Sequence, residues 1–193
     1  MDIFLEQDIE DIVEIHLSTL SNDLLPQLGS KYLFYFYKYL LSSDQEFIFI
    51  NKINNKVIGI CIVSIEPKTL LNRVLKNTFF FFFYSIFTRI LYNKLLQTYI
   101  LNMINSKNSF NHKKPEIVYI LTKPEEQGKG IGKKLLHDAE KYLASLGFTE
   151  LFVKTSDLDG NKAIDFYKKN HFVLERHFMY AKKKYIYLKK IFN

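Results

Sequence analysis

Eight consecutive residues of this 193-residue chain, "QGKGIGKK" from Gln127 to Lys134, carry the spacing best suited to holding a ligand. Three glycines in five positions let a backbone approach a ligand without Cβ clashes. A helix that begins there presents unpaired N–H groups and the positive end of its dipole, which suits a pyrophosphate. Lys129, Lys133 and Lys134 add charge for further phosphates. The commoner phosphate fingerprints do not fit. A P-loop needs four residues between its glycines, and a dinucleotide fingerprint belongs in the first βαβ unit, whereas this run lies two-thirds of the way along the chain. Other chemistries find less support. Cys61 is the only cysteine, sits in the apolar run "IGICIVS" and reads as core, with neither a disulfide nor a cysteine metal site available. His16, His112, His137 and His177 show no ligand spacing, so no metal is expected.

The glycine run follows a strand-like "EIVYILT" and precedes a helical pattern. In that setting Gln127-Gly128-Lys129-Gly130-Ile131-Gly132 resembles the Q/R-x-x-G-x-G/A signature of the GNAT superfamily of N-acetyltransferases. "NKAIDFYKKNHF", Asn161 to Phe172, is similar to the family's second motif, with His171 in place of the usual glycine. Asn and His tolerate positive φ better than most residues, so Asn170-His171 can still make the turn. The resemblance implies an α/β GNAT fold whose mixed central sheet is splayed between strands 4 and 5, to which this chain adds a helical insert between strands 3 and 4. It implies that acetyl-CoA lies in the splay as an added strand. By position, the backbone of Ile120 would polarise the thioester carbonyl and that of Thr122 would pair with the pantetheine amide. Leu121 lies between them on the same cofactor strand, and Gln127 to Gly132, with Lys133, would hold the pyrophosphate. Backbone donors aimed at a developing oxyanion are a large term in acyl transfer. Tyr167 falls where the family has a tyrosine that protonates the departing sulfur, and a phenol with a pKa near 10 is protonated at neutral pH. Asn161 caps the last helix in this reading and adds a contact to the cofactor arm. Glu116 stands at the spacing of the base in the histone acetyltransferase branch, with a plain strand-edge carboxylate as the alternative.

The elements that must position these residues are legible in outline. After a short first strand, residues 8 to 20 place Ile9, Ile12, Val13, His16, Leu17 and Leu20 on one helical face. A second helix covers 30 to 41 with Ser30 as its N-cap. Two apolar strands then flank Asn54-Asn55, a hairpin signal. Pro124 ends the strand that begins at Glu116, and the next helix runs to Gly147 with Ile131, Leu135, Ala139, Tyr142, Leu143 and Leu146 inward. A strand "ELFVKTS", the loop "DLDGN", a short helix from Asn161 to Lys169 and two closing strands around 172 to 188 follow.

Fifty residues, about 66 to 115, separate Ile65 from Glu116 where a minimal family member has a short turn. No Gly or Pro occurs from Lys68 to Lys114, so helices are expected, with Thr69 as an N-cap after Pro67 and a second helix near 94 to 106. Within "NTFFFFFYSIFTRIL", helical spacing turns Phe79, Phe82 and Phe83 inward along a stripe with Leu71, Val74, Leu75, Ile86, Phe87, Ile90 and Leu91. Phe80, Phe81 and Tyr84 are left on the opposite side. Twelve residues free of charge lie between Lys76 and Arg89, about 18 Å of helix where a bilayer core needs ~30 Å, so the stretch does not span. A strand through the aromatics, a membrane-surface contact and a homodimer through 69 to 106 stay open.

One domain over residues 1 to 193 suits the length. An acidic start with spaced apolar residues is unlike a signal peptide, and a single cysteine fits a reducing compartment, so the expected location is cytoplasmic. The net charge of +7 invites nucleic acid, but the lysines are scattered and the aromatics cluster in apolar runs, so no nucleic-acid partner is expected. The function implied is direct transfer of acetyl from acetyl-CoA to a primary amine of a small metabolite or amino sugar. Protein or peptide N-acetylation is the alternative, together with a non-catalytic acyl-CoA-binding or membrane-associated domain.

Overall fold

A computed structural model describes residues 5–94, 96–98, 114–180 and 183–192. The short first strand and most of the second insert helix fall outside these residues. The chain forms α1 (Glu6–Thr19), α2 (Leu24–Gln27), α3 (Ser30–Ser42), β1 (Glu46–Ile53), β2 (Lys56–Ser64) and α4 (Pro67–Arg89). These are followed by β3 (Glu116–Thr122), α5 (Ile131–Ser145), β4 (Glu150–Ser156), α6 (Lys162–Lys169), β5 (Val173–Tyr180) and β6 (Lys183–Ile191). The described sheet has the order β1-β2-β3-β4-β6-β5, with β3 and β4 parallel and the other neighbours antiparallel. Counted with a strand ahead of α1, β3 and β4 are strands 4 and 5 of the expected fold.

Local chemistry accounts for most element ends. Asn54 and Asn55 both hold positive φ, 50° and 62°, which a two-residue turn between right-twisted strands requires. Gly147 and His171 end α5 and α6 with φ of 85° and 68°, and Phe148 and Phe172 N–H groups reach back to the carbonyls of Leu143 and Tyr167. Asp11 is buried and accepts from the Val57 N–H at 2.9 Å, tying α1 to the start of β2. Two helix starts differ from expectation. Gly29, at φ 92°, caps α3 in place of Ser30, and Glu66 precedes Pro67 at the start of α4 in place of Thr69.

Successive side chains of β2 point to opposite faces of the sheet. Ile60 and Ile62 join a core with α1, α3 and α4, while Cys61 and Val63 join another with α5 and α6. In α5 the buried face is Leu135, Leu136, Ala139 and Leu143, whereas Tyr142 and Leu146 are exposed at its margin. Tyr142 packs its ring against Phe47 of β1.

α4 corrects the expected stripe. Its buried residues are Val74, Thr78 and Ser85, and Phe81 and Phe82 are half-buried beside them. Phe81 stacks on Tyr35 and Phe82 meets Tyr32, both of α3. Phe79, Phe83, Phe87 and Leu91, expected inward, are exposed. Thr78 leaves helical geometry (φ −112°, ψ 16°) while its hydroxyl donates to the Val74 carbonyl. Yet Val74, Thr78, Phe81, Phe82 and Ser85 keep three- and four-residue spacing through it, so the inward stripe is a continuous one centred on other residues than expected. Among the described residues no helix is long and apolar enough to cross a membrane.

Candidate active site

β3 and β4 pair only at Glu116↔Phe152 and Ile117↔Val153. Beyond Ile117 the β4-facing edge of β3 has no strand partner among the described residues, although the two strands run on to Thr122 and Ser156. On its other side β3 stays paired with β2 through Ile120↔Cys61, Leu121↔Ile60 and Thr122↔Gly59. Val118 is an extra residue in that ladder, between Ile62↔Tyr119 and Val63↔Ile117, and such a bulge bends a strand locally. The result is an opening with an unpaired backbone edge, whose Ile120, Leu121 and Thr122 are the strand residues expected to bind the cofactor.

The glycine run lies at the end of that edge. Pro124–Glu126 form a short turn, Gln127 donates to the Thr122 carbonyl at 3.3 Å, and α5 begins at Ile131 with Gly130 as its cap. Gly128 and Gly130 take φ of 79° and 84°, and a Cβ on either would meet nothing within 4 Å. The positive φ explains why glycine is needed, and no other part of the described chain fills the space above either backbone. Gly132 faces inward instead, since its Cβ would come within 3.2 Å of Phe166 of α6. Of the lysines, Lys129 pairs with Glu126 at 3.0 Å and Lys134 with Asp138 at 3.3 Å. Lys133 is exposed and has no ion-pair partner among the described residues.

α6 supplies the tyrosine. Asn161 accepts from the Ala163 N–H at 3.1 Å, and its amide donates to Thr155 Oγ1 at 3.0 Å and to the Ser156 carbonyl at 2.6 Å. That clamp fastens α6 to the end of β4. Tyr167 is buried in the same core as Cys61 and Ile120, ringed by Phe166 and Phe172. Its hydroxyl has no hydrogen-bond partner among the described residues. Burial, and then the neighbouring Cys61, push the phenol well above its ordinary value, so it holds its proton. Burial likewise pushes the Cys61 thiol up, away from the thiolate a nucleophile needs.

The model of the Acetyltransferase (GNAT) family matches residues 9–172. The chain belongs to the GNAT acetyltransferase family. It has no match among curated protein sequences. Solved structures share the fold at low identity. The PaiA N-acetyltransferase from Thermoplasma acidophilum, in complex with coenzyme A, has a TM-score of 0.61 at 15% identity, over 98% of this chain and 96% of that one. The ribosomal-protein-S18-alanine N-acetyltransferase from Escherichia coli scores 0.59 at 12% identity, over 100% of this chain and 92% of the other. An aminoglycoside 6′-N-acetyltransferase complexed with coenzyme A scores 0.61 at 10% identity, over 94% and 89%.

In this GNAT chain Glu116 sits at the closed end of the splay, on the first residue pair that joins β3 to β4. It is buried, with Lys154 Nζ 2.9 Å from one carboxylate oxygen and the Tyr187 hydroxyl donating to the other at 3.0 Å. Both oxygens are engaged, which sets it apart from the open backbone edge and from the unpartnered Tyr167. Two positioning residues carried no signature in the sequence. Gly59 admits α5, because a Cβ there would lie 2.8 Å from Ile131 and 3.1 Å from Leu135. His16 of α1 is buried with Nδ1 2.5 Å from the Tyr37 hydroxyl, its ring against Tyr119 beside the bulge, and its Nε2 without a partner. Burial lowers its pKa to about 4, so the imidazole is neutral. A histidine on an otherwise apolar helix face was the only hint.

Proposed function

We propose that this protein, as a single domain over residues 1–193, transfers the acetyl group of acetyl-CoA directly to a primary amine of a small metabolite or amino sugar. The observation that carries the reading is the divergence of β3 from β4 after two residue pairs, with its free edge ending at a glycine cradle on a helix N-terminus. Acetyl-CoA supplies an acyl thioester. The cradle fits it: Gly128 and Gly130 leave room for a pyrophosphate, the N–H groups at the start of α5 donate to it, and Lys133 adds a cation that no carboxylate among the described residues has already claimed. The edge of Ile120, Leu121 and Thr122 takes the extended arm as a strand would.

Tyr167 in this reading gives its proton to the departing thiolate and is reprotonated by the proton that the attacking amine loses, so the step balances. Its phenol is held neutral by burial, and its hydroxyl has no partner among the described residues. Asn161 has each of its hydrogen-bonding groups used within the protein, so it aims α6 and Tyr167. Glu116 is in this reading a positioning residue that locks the closed end of the splay through Lys154 and Tyr187. The feature that favoured a peptide acceptor, its spacing, thus has a structural use. A cytoplasmic site of action accords with the buried, unpaired Cys61.

Purified protein offered acetyl-CoA with panels of amino sugars, small amines and peptides in a thiol-release assay is expected to release coenzyme A with the first two classes. Release with peptides alone would move the acceptor to protein. Absence of acetyl-CoA binding by calorimetry would end the reading altogether.

A further inference from the structure

α4 buries one narrow stripe against α3 and leaves a second apolar face open. Phe79, Phe83 and Phe87 recur every four residues on it, Phe80 stands beside them, and Leu91 and Tyr92 continue it past the helix end. Phe80 and Phe87 are each 82% exposed. Single exposed aromatics are ordinary, but a contiguous row of them marks a surface that another phase or molecule covers.

Charge says which. Between Glu66 and Glu116 there is no Asp or Glu and there are eight Lys and Arg, more positive charge than the +7 of the whole chain. Lys76 lies one turn ahead of Phe79 and Phe80 on their side of the helix, and Lys94 stands beyond Leu91, so cations bracket the row at both ends. Lys31 of α3 reaches over the Tyr84 ring at 5.5 Å. Lys76, Arg89 and Lys94 have no ion-pair partner among the described residues, whereas Arg73, nearer the helix start, is bound to the buried Glu46. A second copy of this chain would bring the same cations to the same face with no carboxylate to meet them, and like charges across an interface are costly. A row of exposed aromatics along one helix side, flanked by lysines and lacking acids, matches a surface of anionic headgroups over acyl chains.

We propose that the outward face of α4 docks on an anionic phospholipid surface, with the helix lying in the plane of the membrane. Phe79, Phe80, Phe83 and Phe87 seat at the boundary between headgroups and acyl chains, and Lys76 and Lys94 contact lipid phosphates. Cosedimentation with vesicles of equal parts phosphatidylcholine and phosphatidylglycerol tests it beside vesicles of phosphatidylcholine alone. Binding is expected to the anionic vesicles, to weaken as salt rises, and to fall at least about tenfold in a Phe80→Ser/Phe87→Ser variant. Lys76→Gln/Lys94→Gln should lose the preference for anionic lipid. All variants should keep acetyl-CoA binding by calorimetry, because the altered side chains are exposed and lie outside the cradle. Equal binding to neutral vesicles, or none to either, overturns the proposal. So does a dimer in solution that Phe80→Ser/Phe87→Ser dissociates, which would assign the face to a second copy.

Discussion

The two faces of the sheet build their surfaces from different parts of the chain. On the face of α5 and α6 the proposed site is mostly main chain: glycine N–H groups, a helix start and the edge of β3 beyond Ile117, with Tyr167 and Lys133 as its side chains. On the face of α1, α3 and α4 it is side chain throughout: a buried neutral His16 against Tyr37 and Tyr119, and an outer row of phenylalanines. Their cations differ too. Beside the cradle Lys129 and Lys134 are already paired to carboxylates and only Lys133 stands apart, while Lys76 on α4 and Lys94 beyond its end both have no ion-pair partner among the described residues. Backbone donors bind any phosphate of the right shape, and exposed pairs such as these are worth ~0–1 kcal/mol, so the cradle depends on geometry more than on net charge. The α4 face depends on side-chain identity and on charge.

The sharpest way to separate the two faces is Gly130→Glu. A side chain forced at φ 84° into the space above the cradle, carrying a negative charge, should weaken acetyl-CoA binding by at least about a thousandfold in calorimetry. Vesicle binding should be unchanged; loss of both together would show that the faces are not independent. Next, Tyr167→Phe keeps the ring packing and removes only the hydroxyl, so kcat should fall about a hundredfold or more with KM for acetyl-CoA unaltered. The other face is tested by acid. His16 is held neutral by burial, with its pKa lowered from 6.5 to about 4. Above pH 6.5 neither folded nor unfolded chain protonates it and the full stability is present. As pH falls toward 4 the unfolded chain takes up the proton first, and up to about 3 kcal/mol should be lost over that window. Urea midpoints measured against pH should show this slope, and His16→Leu should flatten it. The smallest effect belongs to the cradle lysines. Lys133→Ala should weaken acetyl-CoA binding about fivefold at low salt, and Lys129→Ala less, because Lys129 already has Glu126.

Legibility followed the same division. Main-chain sites announce themselves, because glycine, asparagine and proline are required at particular φ values. Asn54-Asn55, Gly128, Gly130, Gly147 and His171 all stand at positive φ, where the sequence reading placed a turn, a cradle or a helix end. The cap at Asn161 was equally readable. Five consecutive phenylalanines offer no contrast from which a phase can be read, and the small polar Thr78 and Ser85 that share the buried stripe carry no apolar signal to mark it. Tyr32 and Tyr35 of α3 then chose Phe81 and Phe82 as the inward pair. Gly59 carried no local requirement at all, since its need arises only when Ile131 and Leu135 pack on β2.

By itself the sequence determined the family, the order of the main helices and strands from α1 to β6 apart from the short α2, the glycine turn before α5 and the short helix that carries Tyr167. These rest on backbone conformations and helix starts specified by a few adjacent residues. Only the tertiary structure decided that Glu116 is held by Lys154 and Tyr187, that His16 is buried against Tyr119, and that Phe79, Phe80, Phe83 and Phe87 face outward. Each of those outcomes depends on which distant side chain arrives opposite, and that is settled by packing between elements far apart in the chain.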